Sequence, residues 1–139
     1  MNTVNINDKS FLETETYKNF IKENSGSGRL MIRAFSAGGA IPISNLKIII
    51  SKVINDTKVI FFQGRTDISG MIENLILPAP LESNNDLIAP KHISYDIEAI
   101  YEPNKTDQFY MVNMYNNICV VQNINIVPEV NRGNDYYVS

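Results

Sequence analysis

Tryptophan is absent from the 139 residues, and histidine and cysteine occur once each, as His92 and Cys119. A single cysteine excludes an internal disulfide, so the fold has to stand on its core. One histidine, one cysteine and dispersed carboxylates make no zinc site. "NNDLIAP" and "TDISG" carry oxygen ligands without the spacing of a calcium loop, so no metal or cofactor is expected. Basic residues are few and scattered, 12 Lys and Arg against 15 Asp and Glu for a net charge of −3. That balance excludes the clustered cationic surface a nucleic acid requires. No apolar run approaches the ~18–20 residues that span a bilayer, which argues against membrane insertion. The start, "MNTVNINDKSFLETETYKNF", lacks a basic region followed by an apolar one, so it is not a Sec-type signal peptide and synthesis in the cytoplasm is expected.

What the chain does contain is strand pattern. Residues 1–9 are polar and read as a mobile start. Ser10-Phe11-Leu12-Glu13 matches a capping box and predicts a helix from Phe11 to Glu23, with Tyr17, Phe20 and Ile21 on one narrow face. "NSGSG", Asn24 to Gly28, reads as a flexible linker. The expected organisation is therefore an N-terminal extension (1–28), a sandwich domain (29–128) and a polar C-terminal tail (129–139) carrying Tyr136, Tyr137 and Val138.

From Arg29 the hydrophobic period becomes two. Leu30, Ile32 and Ala34 mark a first strand; Leu46, Ile48 and Ile50 mark a second; "KVIFFQ" is a third. Asn55-Asp56 is the turn between the last two. In "TDISG", Asp67 can accept from amides two residues on and Gly70 can take positive φ, which reads as a tight reversal into a fourth, antiparallel strand, Met71 to Leu77. Pro78 and Pro80 end that strand, and "APLESNNDLIAPKH" is a crossover between sheets. Tyr95, Ile97, Ala99 and Tyr101 alternate on a fifth strand; Phe109 to Met114 is a sixth and Ile118 to Val127 a seventh. The parity of the seventh slips, and a bulge at Gln122-Asn123 would turn Cys119, Val121, Ile124 and Ile126 all inward. Seven short strands with turn signals between them predict an all-β antiparallel sandwich.

The ordered set "GRLMIRAFSAGGAIPISNLKIII", "GRTDISGMIENLILPAP", "YDIEAIY" and "VQNINIVP" resembles the carboxypeptidase regulatory-like, or prealbumin-like, family over about residues 28–128. Within that family, "LILPAP" and "VQNINIVP" look closer to the accessory domain of clostridial spore cortex-lytic enzymes and related stand-alone proteins. The resemblance implies a seven-stranded Greek-key sandwich, with the short helix of the extension lying outside it. It also implies a structural or binding role on the spore or cell surface. No hydrolase domain is attached, so no enzymatic activity carries over.

The candidate site residues follow from parity. Cys119 lies in the apolar run "NICVVQ" and reads as a buried structural thiol; His92 falls in the crossover, so the pair does not make a nucleophile. An intramolecular isopeptide bond would need a lysine on the first strand, where Arg33 stands. Ile49, Phe62 and Tyr101 fall on the outward parity. Tyr17, Phe20 and Ile21 are the expected docking face, with Ile49 and Phe62 as an acceptor surface, either within the chain or on a partner. The expected function is non-catalytic assembly, through self-association or a protein partner. The alternative is a cell-wall glycan-binding module using Tyr95, Tyr101 and Tyr110.

Overall fold

The computed structural model describes residues 1–81 and 90–127. Nine strands lie among them: β1 (Asn2–Asn5), β2 (Gly26–Ser36), β3 (Ile41–Pro42), β4 (Lys47–Ile54), β5 (Thr57–Arg65), β6 (Met71–Ala79), β7 (Ile93–Tyr101), β8 (Thr106–Met114) and β9 (Cys119–Asn125). They form two sheets. One runs β1-β5-β4-β7-β8; in the other β2 is central, with β6 and the short β3 on one side and β9 on the other. The expected all-β sandwich with a short helix is what the chain adopts. It departs from an all-antiparallel arrangement in two pairings: β1 runs parallel to β5, and β9 runs parallel to β2.

The core is where the period-two pattern places it. Leu30, Ile32 and Ala34 of β2 share one core with Ile48 and Ile50 of β4, Leu46 just before it, and Tyr95, Ile97 and Ala99 of β7, all buried. Each fully buried Leu or Ile contributes about 1.5–3 kcal/mol of transfer free energy. Tyr95 is wholly buried, and its hydroxyl donates to the Pro78 carbonyl 2.6 Å away, tying the two sheets together. Burial pushes its phenol up, far above the ordinary tyrosine range.

The extension is part of this body. Residues 2–5, expected to be mobile, form β1 on the edge of β5. The single helix is two: α1 (Lys9–Leu12), capped by Asp8 accepting from the Ser10 amide, and α2 (Glu15–Glu23), capped by Thr14 accepting from the Tyr17 amide. Ser10 therefore lies inside α1, and the break at Glu13–Thr14 gives α2 a start of its own. The expected Gly/Ser linker is mostly strand, because β2 begins at Gly26. Asn24 is buried there, its side-chain amide donating to the Phe20 carbonyl at 2.9 Å.

"TDISG" has the expected chemistry and a different destination. Asp67 accepts from the amides of Ser69 and Met71, each at 2.9 Å, and Gly70 has φ 76°. Yet β5 and β6 lie in different sheets, so this is a sheet-to-sheet corner and not a hairpin. Thr66, buried at its entrance, accepts from the Leu46 amide at 3.0 Å and donates to the Ile43 carbonyl at 2.7 Å. The Asn55-Asp56 hairpin is as expected, both residues having positive φ. The chain also crosses between sheets from β6 to β7, as expected, although most of that crossover and the whole polar tail with its two tyrosines lie outside the described residues.

The β9 bulge does not form. Its register against β2 is unbroken from Cys119 to Asn125. Ile124 and Ile126 are buried, while Cys119 and Val121 point to solvent, so the thiol is exposed and not a core group.

Candidate interaction surface

Tyr101 and Lys105 bracket a one-turn helix at Glu102–Asn104, and Lys105 takes φ 56° to reverse the chain into β8. The β7–β8 hairpin then pairs without a register shift from Ile93–Met114 to Tyr101–Thr106. Strict alternation follows. Val112 and Met114 turn into the core, while Asp107, Phe109, Met111 and Asn113 point outward and are exposed. Phe109 is 72% exposed and Met111 67%. Among the described residues no strand pairs with the far side of β8.

The residues behind this edge are charged. Glu98 of β7 stands opposite Phe109, and Ile49 of β4 stands opposite Glu98. Desolvation holds the Glu98 carboxyl above the usual carboxylate range, reinforced by a hydrogen bond and charge from Asp107 and opposed by Lys58 and Lys47. At the turn end of the hairpin Arg65 grips Glu102 with two bonds, of 2.8 and 3.2 Å. That hydrogen bonding is the main reason the Glu102 carboxyl falls below its ordinary range. Because both groups are well exposed, the pair fixes the turn's position more than it stabilises the fold.

The expected site residues scatter. Phe20 is buried, with its ring 5.7 Å from Phe61, which in turn meets Tyr95 at 5.1 Å edge-on. The helix face therefore docks on its own sandwich. Tyr17 is half-buried against Phe11 at 5.6 Å, and Ile21 is half-buried. Phe62 is not outward: β5 carries a bulge at Phe61, so the register puts Phe62 opposite Ile50 on the core side, with its ring over Gly64. A Cβ at Gly64 would lie 2.6 Å from that ring, so the glycine is what makes room for it. Of the expected acceptor pair only Ile49 lies on the outer face, in the row that ends at Phe109.

The glycan platform does not assemble. Tyr95 is wholly buried; Tyr101 and Tyr110 are half-buried and packed against the core, and the Tyr110 hydroxyl donates to Gln108 at 2.8 Å. Tyr101 was expected to face outward; it shares the inward parity of Tyr95, Ile97 and Ala99. His92 packs its ring 5.5 Å from Tyr115, while Cys119 pairs in register with Arg29 on the outer face of the other sheet. His92 also lines an open cleft of about 690 Å³ with Phe20, Glu23, Lys52 and Lys91, where Lys52 donates to the Ser94 carbonyl at 2.8 Å. Among the described residues no group of three or more His, Cys, Asp or Glu is placed to hold a metal ion, and no helix is long and apolar enough to cross a membrane.

No family model matches the chain, and no curated protein matches it. The fold is similar to that of transthyretin from Sparus aurata, a crystal structure. The two are 18% identical, with a TM-score of 0.42, over 70% of this chain and 90% of that one. The likeness concerns the fold alone, and the surface at β8 is read from this chain's own residues.

Phe109 and Met111 were not among the residues singled out by sequence. In "TDQFYMVNM" both parities are apolar, so alternation alone does not say which set faces solvent. The signal that could have found them is that one hairpin strand offers two apolar faces where a single sandwich core can bury only one.

Proposed function

We propose that this chain is a non-catalytic assembly module that associates through the open β8 edge of its larger sheet. The observation that supports this most is a long, regular edge strand with Phe109 and Met111 in solvent. Natural sheets guard their edges with proline, inward or edge lysine, bulges or covering elements. Here β5 is covered by β1 over Thr57–Ile60 and carries its bulge just beyond. The edge strand β6 carries Pro78, a register shift and Asn74 at φ 61°. β8 has none of these between Asp107 and Asn113.

The N-terminal extension is a weaker connector than sequence suggests, since Phe11 and Phe20 are buried within their own chain. A spore or cell-surface setting for the module rests on the resemblance of "LILPAP" and "VQNINIVP" to the cortex-lytic accessory domain. The test is sedimentation velocity of the full chain over a concentration series, beside Phe109→Glu. Concentration-dependent association that the variant lacks supports the reading. A monomer at every concentration sinks it.

A further inference from the structure

We infer that the face bearing Phe109 and Met111 is received by the outer face of the smaller sheet of a second copy, where Arg29 and Arg33 stand. This rests on the assembly reading above and names the partner surface. Strand side chains stand perpendicular to their sheet, so Phe109 and Met111 are aimed off the face of the larger sheet, and another face is what covers them.

The smaller sheet presents such a face. On its outward side register places Arg29 beside Ile76, Met31 beside Val121, and Arg33 beside Met71. Both arginines are exposed, and among the described residues neither joins an ion pair. The Arg33 guanidinium donates to the neutral Asn123 side chain at 3.4 Å. The strands of this sheet carry one acid, Glu73, at the register shift between β6 and β2. The β7–β8 face is the complement. Its charged groups are Asp96, Glu98 and Asp107, interleaved with Met111 opposite Asp96 and Phe109 opposite Glu98. Lys47 and Lys58 act on Glu98 within the chain, while among the described residues neither Asp96 nor Asp107 joins an ion pair.

The spacings agree. Arg29 and Arg33 are four residues apart on β2, about 13 Å. Asp96 and Ile100, the residue opposite Asp107, are four apart on β7. With an arginine over each aspartate, Met31 and Val121 lie over Phe109, midway in both sets. The contact thus lays a thioether on an aromatic ring between two ion pairs. The two faces differ and lie on opposite sides of the sandwich, so each copy offers both and the contact propagates. The expected product is a chain of copies stacked sheet on sheet. Each step is at the small end of specific interfaces, and salt screens its ion pairs.

The experiment is sedimentation velocity of two charge-reversed full chains, alone and mixed. One carries Arg29→Glu with Arg33→Glu, the other Asp96→Lys with Asp107→Lys. All four positions are exposed, and urea midpoints establish that both variants fold. Each variant alone presents two faces of like sign and should associate at least about tenfold more weakly than the native chain. An equimolar mixture sets opposite signs across every contact and should associate again at about 0.05 M salt and much less at about 0.5 M. A mixture that stays monomeric, or an arginine variant that associates as the native chain does, overturns the pairing of the two faces. The assembly module still stands in that case if Phe109→Glu abolishes association of the native chain. Native monomers at every concentration overturn both.

Discussion

Phe20→Ala tests whether the first 24 residues belong to the fold. The ring is 6% exposed and forms the outer step of an aromatic ladder, Phe20 on Phe61 on Tyr95, that reaches the centre of the sandwich. Truncating a buried Phe to Ala costs about 3–5 kcal/mol, from lost transfer energy and the cavity left behind. The upper half applies only if α2 stays in place. A nine-residue helix has no independent stability in water, so α2 has the alternative of undocking and melting. Undocking caps the cost at the docking free energy, and the lost surface lowers the urea m-value with it. The expected outcome is therefore a loss of about 2–4 kcal/mol in urea unfolding, with a reduced m-value and faster amide exchange through α2. The bond from the Asn24 amide to the Phe20 carbonyl, 2.9 Å long, is a natural reporter. A loss under about 1 kcal/mol with unchanged exchange would refute the docking argument. It would also restore the extension as a free connector.

Gly70→Ala should destabilise by about 2 kcal/mol or more, because a Cβ there sits 2.4 Å from the Ala34 carbonyl oxygen at φ 76°; a shifted urea midpoint with unchanged m-value checks it. The raised Glu98 carboxyl means the folded state holds more proton than the unfolded one just above the ordinary value of 4.5, so its contribution to stability falls as pH rises through that window. Glu98→Gln should gain a few tenths of a kcal/mol at pH 7 and flatten that fall; parallel curves for the two proteins between pH 4 and 8 would contradict it. Cys119 should react with a thiol reagent in the native protein as fast as in urea, since it is exposed; protection in the native state would return it to the core. Deleting residues 1–7 should uncover the β5 edge and promote association, seen as a sedimentation coefficient that rises with concentration above that of the full chain; unchanged sedimentation would show that β1 guards nothing.

Most of the sandwich was legible because period-two alternation is a direct consequence of one buried face. β2, β4 and β7 each show it cleanly, and their inward residues are the ones buried. What failed has particular physical causes. β1 is short and polar, so nothing local marks it; only its pairing with β5, distant in the chain, makes it a strand. In "KVIFFQ" every central residue is apolar, so the bulge at Phe61 leaves no trace in the pattern, and parity alone puts Phe62 on the wrong face. "TDISG" specifies a turn through Asp67 and Gly70, but a turn's local bonds do not say whether the next strand joins the same sheet. In β9 a bulge would bring Cys119 and Val121 into the core, but plain alternation puts Val120, Ile124 and Ile126 inside instead. The candidate surface was the least legible part, since exposure of Phe109 and Met111 depends on β8 being the last strand of its sheet.

The two ends of the larger sheet are treated differently by the same chain. At one end the first residues are spent on β1, a strand whose side chains are mostly exposed and which adds little to the core. What it does add is main-chain partners for β5, the strand on whose Phe61 ring Phe20 of α2 packs. Such an arrangement has a purpose only if an uncovered β5 edge is a hazard. The β8 edge is longer than the covered part of β5, more regular and more apolar, so the same hazard is greater there. A chain that devotes an N-terminal strand to the lesser edge and none of its described residues to the greater one is consistent with an edge kept open for use.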